Sequence, residues 1–180
     1  MNRREVLRLL GGAAAIPVLS SLSPASRLAF GRSLHARLAG EPLRSLNRED
    51  NALVTRIADL IIPETDTPGA VGVKVPAFID LLLTQWYAPA DRERLLAGLE
   101  AIDARSRAAH GARFVELTAR DQAALLESLD GRDGAKGSAE DAFATLKDLT
   151  LYGYFTSEVV MRNVLKTPII PGRDDGCVPV

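Results

Sequence analysis

Few residues in this chain have the types and spacing that chemistry needs. Thr156-Ser157-Glu158 places two hydroxyls beside a carboxylate, the ingredients of nucleophilic or acid–base work. A hydroxyl attacks only when a base activates it, and both histidines, His35 and His110, stand far from this triplet along the chain. A fold that carried His110 to the triplet would be needed to make it catalytic. Each histidine has basic neighbours, Arg37 for the first and Arg107 and Arg113 for the second. Neither sits among ligands at metal spacing, so both read as solvated surface residues. No Cys-x-x-Cys-His offers haem attachment, and no Gly-x-Gly-x-x-Gly follows a strand to hold a dinucleotide. Gly69-Ala-Val-Gly72 is a loop pair with no strand before it. The residues therefore predict no catalytic, cofactor-binding or metal site within this chain.

The amino terminus does carry a pattern. Asn2-Arg3-Arg4-Glu5-Val6-Leu7-Arg8 is followed by the apolar run Leu9 to Leu19 and then by Ser, Pro and Ala. A basic region, a short apolar stretch and small residues make an export signal, and paired Arg3 and Arg4 followed by Val6, Leu7 and Arg8 resemble the twin-arginine type. Gly11, Gly12 and Pro17 interrupt the apolar stretch, which falls short of the roughly 20 apolar residues that span a bilayer. Ser23-Pro-Ala25 and Arg27-Leu-Ala29 are alternative cleavage sites, and an uncleaved anchor is a third alternative. Export implies a periplasmic protein. In an oxidising compartment the lone Cys177 has no internal partner, leaving an intermolecular disulfide, a free thiol or simple burial as its readings.

Charge follows the same division. Residues 1–32 hold five Arg and one Glu, and since the whole chain carries −1 the remainder carries −5. Such a domain, with no basic patch interleaved with aromatics, is not built for nucleic acid. About 150 residues beyond the signal suffice for one domain with its own core.

The elements that would position any site read as helices. Residues 1–30 are the export signal, and residues 24–46, rich in Arg, Ser, Gly and Pro, read as linker or pro-segment, with 31–46 the linker proper. Asn47, with Asp50 three residues on, caps a first strong helix carrying Leu53, Val54, Ile57, Leu60 and Ile61. Pro63 ends it and opens a long loop to Gly72, read either as a structural turn or as a contact loop. Pro76 and Pro89 open the next two helices, the latter ending near Gly111, while Thr118 and Ser138 cap a fourth and a fifth. The fifth is expected to run to about Leu165. The fold class is thus all-α, a single compact domain over 47–180 of about five helices with long ordered loops and an extended C-terminal arm from about 167.

Within the fifth helix, Tyr152 and Phe155 share a face with Leu149 and Val159 and belong to the core. Gly153 costs about 1 kcal/mol in a helix interior unless a bulky group packs against it. Tyr154 points elsewhere and is expected at an interface, where exposed aromatics concentrate. The expected partner-binding set is Tyr154, Thr156, Ser157 and Glu158, with Pro171, Gly172, Cys177, Val178 and Pro179 of the arm.

Four stretches carry a family resemblance: Ile57-Ala-Asp-Leu-Ile-Ile-Pro-Glu-Thr-Asp-Thr-Pro-Gly69, Val75-Pro-Ala-Phe-Ile-Asp80, Leu149-Thr-Leu-Tyr-Gly-Tyr-Phe-Thr-Ser-Glu158 and Gly176-Cys-Val-Pro179. Together with the twin-arginine start, they make the chain resemble the gluconate 2-dehydrogenase subunit 3 family over most of residues 50–180. The resemblance implies a small subunit without catalytic residues. It would accompany a large FAD-dependent dehydrogenase of the glucose-methanol-choline type, often with a haem c cytochrome as third subunit. It would carry the signal read by the twin-arginine translocase and escort the flavin-loaded chain across the membrane. Cys177 is the residue expected to bridge to that large subunit.

Overall fold

Apolar residues that recur every three or four positions along most of this chain force helices that bury one stripe each. The computed structural model describes residues 23–38, 45–131 and 133–166. Among them run α1 (Pro24–Arg37), α2 (Arg48–Ile61), α3 (Val75–Gln85), α4 (Pro89–His110), α5 (Ala119–Leu129) and α6 (Ala139–Thr156), with a 3₁₀ turn at Phe114–Glu116 and a wide π turn at Val160–Val164. No strand occurs among the described residues, and none of these helices is long and apolar enough to cross a membrane. The all-α reading holds.

Helix α6 is the axis. It packs against each of the other five helices, and its buried residues run from Ala139 through Phe143, Leu149 and Tyr152 to Thr156. Its second half, residues 149–156, is buried on nearly every side, as a central helix must be. Its closest neighbour is α4, where Gly98 faces Ala142 with no room for a side chain between them. The stripe Leu95, Leu99 and Ile102 closes that contact. Phe78, Ile79, Leu82 and Leu83 of α3 and Leu53, Val54 and Ile57 of α2 complete the core.

The local signals sit where they should. Asn47 accepts from the backbone N–H groups of Glu49 and Asp50, each at 2.8 Å. Thr118 and Ser138 accept from Asp121 and Asp141. Pro76 and Pro89 occupy the first turns of α3 and α4, and Gly111 closes α4. The Pro63–Gly72 loop folds back on itself, with the Ala70 N–H donating to the Ile62 carbonyl at 2.9 Å.

Two features depart from the expected elements. Residues 24–37, expected within a linker or pro-segment, form α1 and dock on α3 and α6. The fifth predicted helix does not run unbroken to Leu165. It stops at Thr156, and Ser157 turns extended with ψ of 141°. The cause is hydroxyl chemistry: Thr156 Oγ1 donates to the Tyr152 carbonyl at 2.7 Å and Ser157 Oγ to the Tyr154 carbonyl at 2.8 Å. Ser157 Oγ then accepts from the Val160 N–H at 3.3 Å and starts the final turn. Such side-chain bonds compete with helix continuation.

Two buried carboxylates fasten the loops. Asp80 Oδ1 accepts from the N–H groups of Ser45 at 2.9 Å and Leu46 at 2.7 Å. Asp103 accepts from the Phe114 N–H and from Arg113 Nε, both at 2.9 Å, and from Arg107 at 3.2 Å. A buried carboxylate is tolerated when its oxygens are filled this way.

Candidate functional site

The C-terminal end of α6 gathers most of the chain's distinctive residues, and the packing there starts from Gly153. A side chain at Gly153 would place its Cβ 2.9 Å from Cδ1 of Phe78. Glycine lets the Phe78 ring lie against the α6 backbone, which answers its cost as a helix residue. Phe78 in turn stacks on His35 at 4.7 Å between centroids and meets Tyr152 edge-on at 5.7 Å. His35 is therefore mostly buried, not solvated as its basic neighbours suggested. Its Nε2 lies 2.7 Å from the Gly153 carbonyl oxygen, which requires the proton on Nε2. Burial holds its pKa below the ordinary 6.5, with the carbonyl bond opposing in part. His110 is exposed at the end of α4, away from this region.

Each aromatic hydroxyl of the block reaches a distant carbonyl. Tyr152 donates to Arg27 at 2.6 Å and Tyr154 to Pro68 at 2.9 Å. Burial raises the Tyr152 pKa, so the phenol remains a donor. Tyr154 is only 4% exposed, which corrects the expectation that it points away from the core. The reason is the loop: the Pro68 carbonyl offers the phenol a partner inside the molecule, so a buried ring leaves no polar atom stranded. Thr156 and Ser157 are buried as well, and their hydroxyls are taken up by the α6 carbonyls. Of the expected partner-binding set, Glu158 is on the surface, paired with Arg162 at 2.8 Å. Pro171, Gly172, Cys177, Val178 and Pro179 lie outside the described residues, as do Arg3, Arg4, Val6, Leu7 and Arg8.

Around this end opens a groove of about 810 Å³ between α1, the loop before α3 and the start of the π turn. Ala29, Ala36, Val73 and Val159 give it apolar walls, and Arg32, Lys74, Glu158 and Arg162 its charge. Val159 is 43% exposed. The side chains of Arg32 and Lys74 are exposed and have no ion pair among the described residues. A net positive groove thus sits on a domain whose overall charge is negative.

His35, Thr156 and Ser157 all border this groove, so the fold does bring a histidine to the hydroxyl triplet, though not the one the sequence pointed to. Their geometry is not that of a base and a nucleophile. His35 Nε2 and Thr156 Oγ1 both direct hydrogens at carbonyls near the end of α6, and neither accepts from the other. Activation needs the ring nitrogen to accept from the hydroxyl. No group of three or more potential metal ligands occurs among the described residues.

Arg32 and Lys74 were not singled out by sequence reasoning, because each lies in a different element and neither belongs to a motif, whereas Val159 was expected on the core face with Leu149 and is instead turned to the surface by the helix break at Ser157. His35 did leave a signal. Leu28, Gly31, Leu34 with His35, and Leu38 recur at helical spacing, a pattern masked by Ser26 and Arg27 just before them and by Arg32, Ser33 and Arg37 between them.

Comparison with known families returns one model, described as gluconate 2-dehydrogenase subunit 3, matching residues 48–172. No curated protein and no solved structure matches the chain. The matched stretch runs from the start of α2 past the π turn and includes the Gly153 block, the Pro68 loop and the two buried aspartates. The chain belongs to the gluconate 2-dehydrogenase subunit 3 family.

Proposed function

We propose that this chain is the non-catalytic small subunit of a periplasmic FAD-dependent dehydrogenase of the glucose-methanol-choline type, acting on gluconate, glucose or a related sugar acid or polyol. Its task is export, escort and stabilisation of the flavoprotein subunit. The observation that carries this reading is the family match across residues 48–172. FAD belongs to the large subunit, and a cytochrome subunit with haem c takes the electrons onward. Arg3 and Arg4 present the pair to the twin-arginine translocase. The groove at the end of α6, with the exposed Val159 and the exposed cations Arg32 and Lys74, supplies apolar surface and positive charge that the large subunit covers.

Replacing both arginines, Arg3→Lys with Arg4→Lys, keeps the charge and removes the pair. The small chain is then expected to stay in the cytoplasm, and dehydrogenase activity in the periplasmic fraction to fall at least tenfold. Undiminished periplasmic activity would refute the escort role. Cys177 is proposed to form a disulfide with the large subunit, since it has no second cysteine in its own chain. Non-reducing electrophoresis of the complex should show one adduct that reductant splits in two. Free migration of the small chain without reductant would eliminate the bridge.

A further inference from the structure

The family match begins at residue 48, yet α1, which lies before it, is built into the same core. Leu34 is fully buried. Gly31 lies so close to Thr156 that a Cβ there would come within 2.6 Å of its Cγ2. Tyr152 donates to the Arg27 carbonyl and His35 pairs with the Gly153 carbonyl. Phe30 meets Trp86 edge-on at 5.3 Å, and Arg37 lies over the same indole at 5.7 Å. These contacts reach into α3 and α6, the elements that carry the family residues Val75–Asp80 and Leu149–Glu158.

Helix α1 draws little order from its own composition. It is 14 residues long and contains Gly31, Ser26 and Ser33, and isolated helices of that length are marginal in water even with good formers. Its N-terminus depends on Ser23, whose side chain accepts from the Ser26 N–H at 3.2 Å and whose carbonyl accepts from the Arg27 N–H at 2.9 Å. Loss of residues through Ala25 strips that cap. Loss through Ala29 also removes the acceptor of Tyr152 and one wall residue of the groove.

We infer that α1 is a retained part of the mature subunit, and that every cut made during export falls before Ser23. The two small-residue sites at Ser23-Pro-Ala25 and Arg27-Leu-Ala29 are therefore not processing sites: both lie at or within the docked helix. The cleavage half of this inference rests on the export reading, whereas the docking of α1 does not.

Two measurements on the full-length protein separate these halves. Intact-mass analysis of the chain recovered from the periplasm should give a species that includes Ser23–Arg37. A species starting at Ser26, Phe30 or later would overturn the inference. Hydrogen exchange on the purified chain should show α1 amides protected at least tenfold over a free peptide. Gly31→Leu should abolish that protection while α4 and α5 keep theirs. If Gly31→Leu fails to fold, Tyr152→Phe decides, with α1 exchange expected to rise several-fold and α4 unchanged. Free-peptide exchange of α1 in the unaltered protein, or no response to Tyr152→Phe, would refute its docking whether or not the protein is exported. A protected α1 in a protein that never reaches the periplasm would refute the export reading alone.

Discussion

His35 is held as a neutral ring that donates from Nε2 to the Gly153 carbonyl, so its protonation is linked to folding. Its folded pKa lies below 6.5 because burial disfavours the charged ring. The unfolded chain then binds the proton more readily, and stability falls as pH drops below about 6.5, levelling off once the folded pKa is passed. Asp148 works in the opposite sense. It is half-buried, and burial raises its pKa from 3.8 to about 6, so its contribution to stability grows as pH falls through that range. Subtracting a His35→Gln variant removes the Asp148 effect, because it is common to both proteins. The melting temperature of the unaltered protein minus that of His35→Gln should therefore shrink between pH 7.5 and pH 5. A constant or growing difference would show that His35 is not buried as described. Side chains of this kind were the hardest to read from sequence. Tyr154 and His35 each depend on a carbonyl from a distant segment, Pro68 and Gly153 respectively, and no local pattern announces such a partner.

At the scale of elements, the contact between α3 and α6 is set by the absence of a side chain at Gly153. Gly153→Ala gains up to about 1 kcal/mol of helix propensity. The new Cβ, however, would sit 2.9 Å from Cδ1 of Phe78, a ring with no exposed surface and no free direction to move. Overpacking of this kind costs about 1–3 kcal/mol, so after the propensity gain a net loss of up to about 2 kcal/mol is expected. Thermal melts should show a fall of up to roughly 8 °C, and a variant that melts above the unaltered protein would contradict the close packing. Helix starts and stops were legible because they are local: Asn47, Thr118 and Ser138 cap through their own next turn. The end of α6 at Thr156 escaped notice because an apolar period continues through Val160 while two hydroxyls redirect the backbone. Helix α1 escaped because tertiary contacts, rather than its own polar composition, hold it in place.

At the scale of the whole molecule, one central helix organises the domain and ends beside a groove where Arg32 and Lys74 have no ion pair among the described residues. An acidic domain that keeps Arg32, Lys74 and Val159 exposed at one site is suited to a partner that buries them. The family match makes a dehydrogenase complex the place to look for that partner. The decisive measurement is co-purification from the native host, with an affinity tag inserted at the exposed Ala135 in the turn before α6, away from the groove and far in sequence from both chain ends. A flavin-containing chain of dehydrogenase size, recovered from the periplasm at a one-to-one ratio, is expected. Recovery of the helical subunit alone, soluble and monomeric, would contradict the escort role and leave an independent exported binding protein in its place.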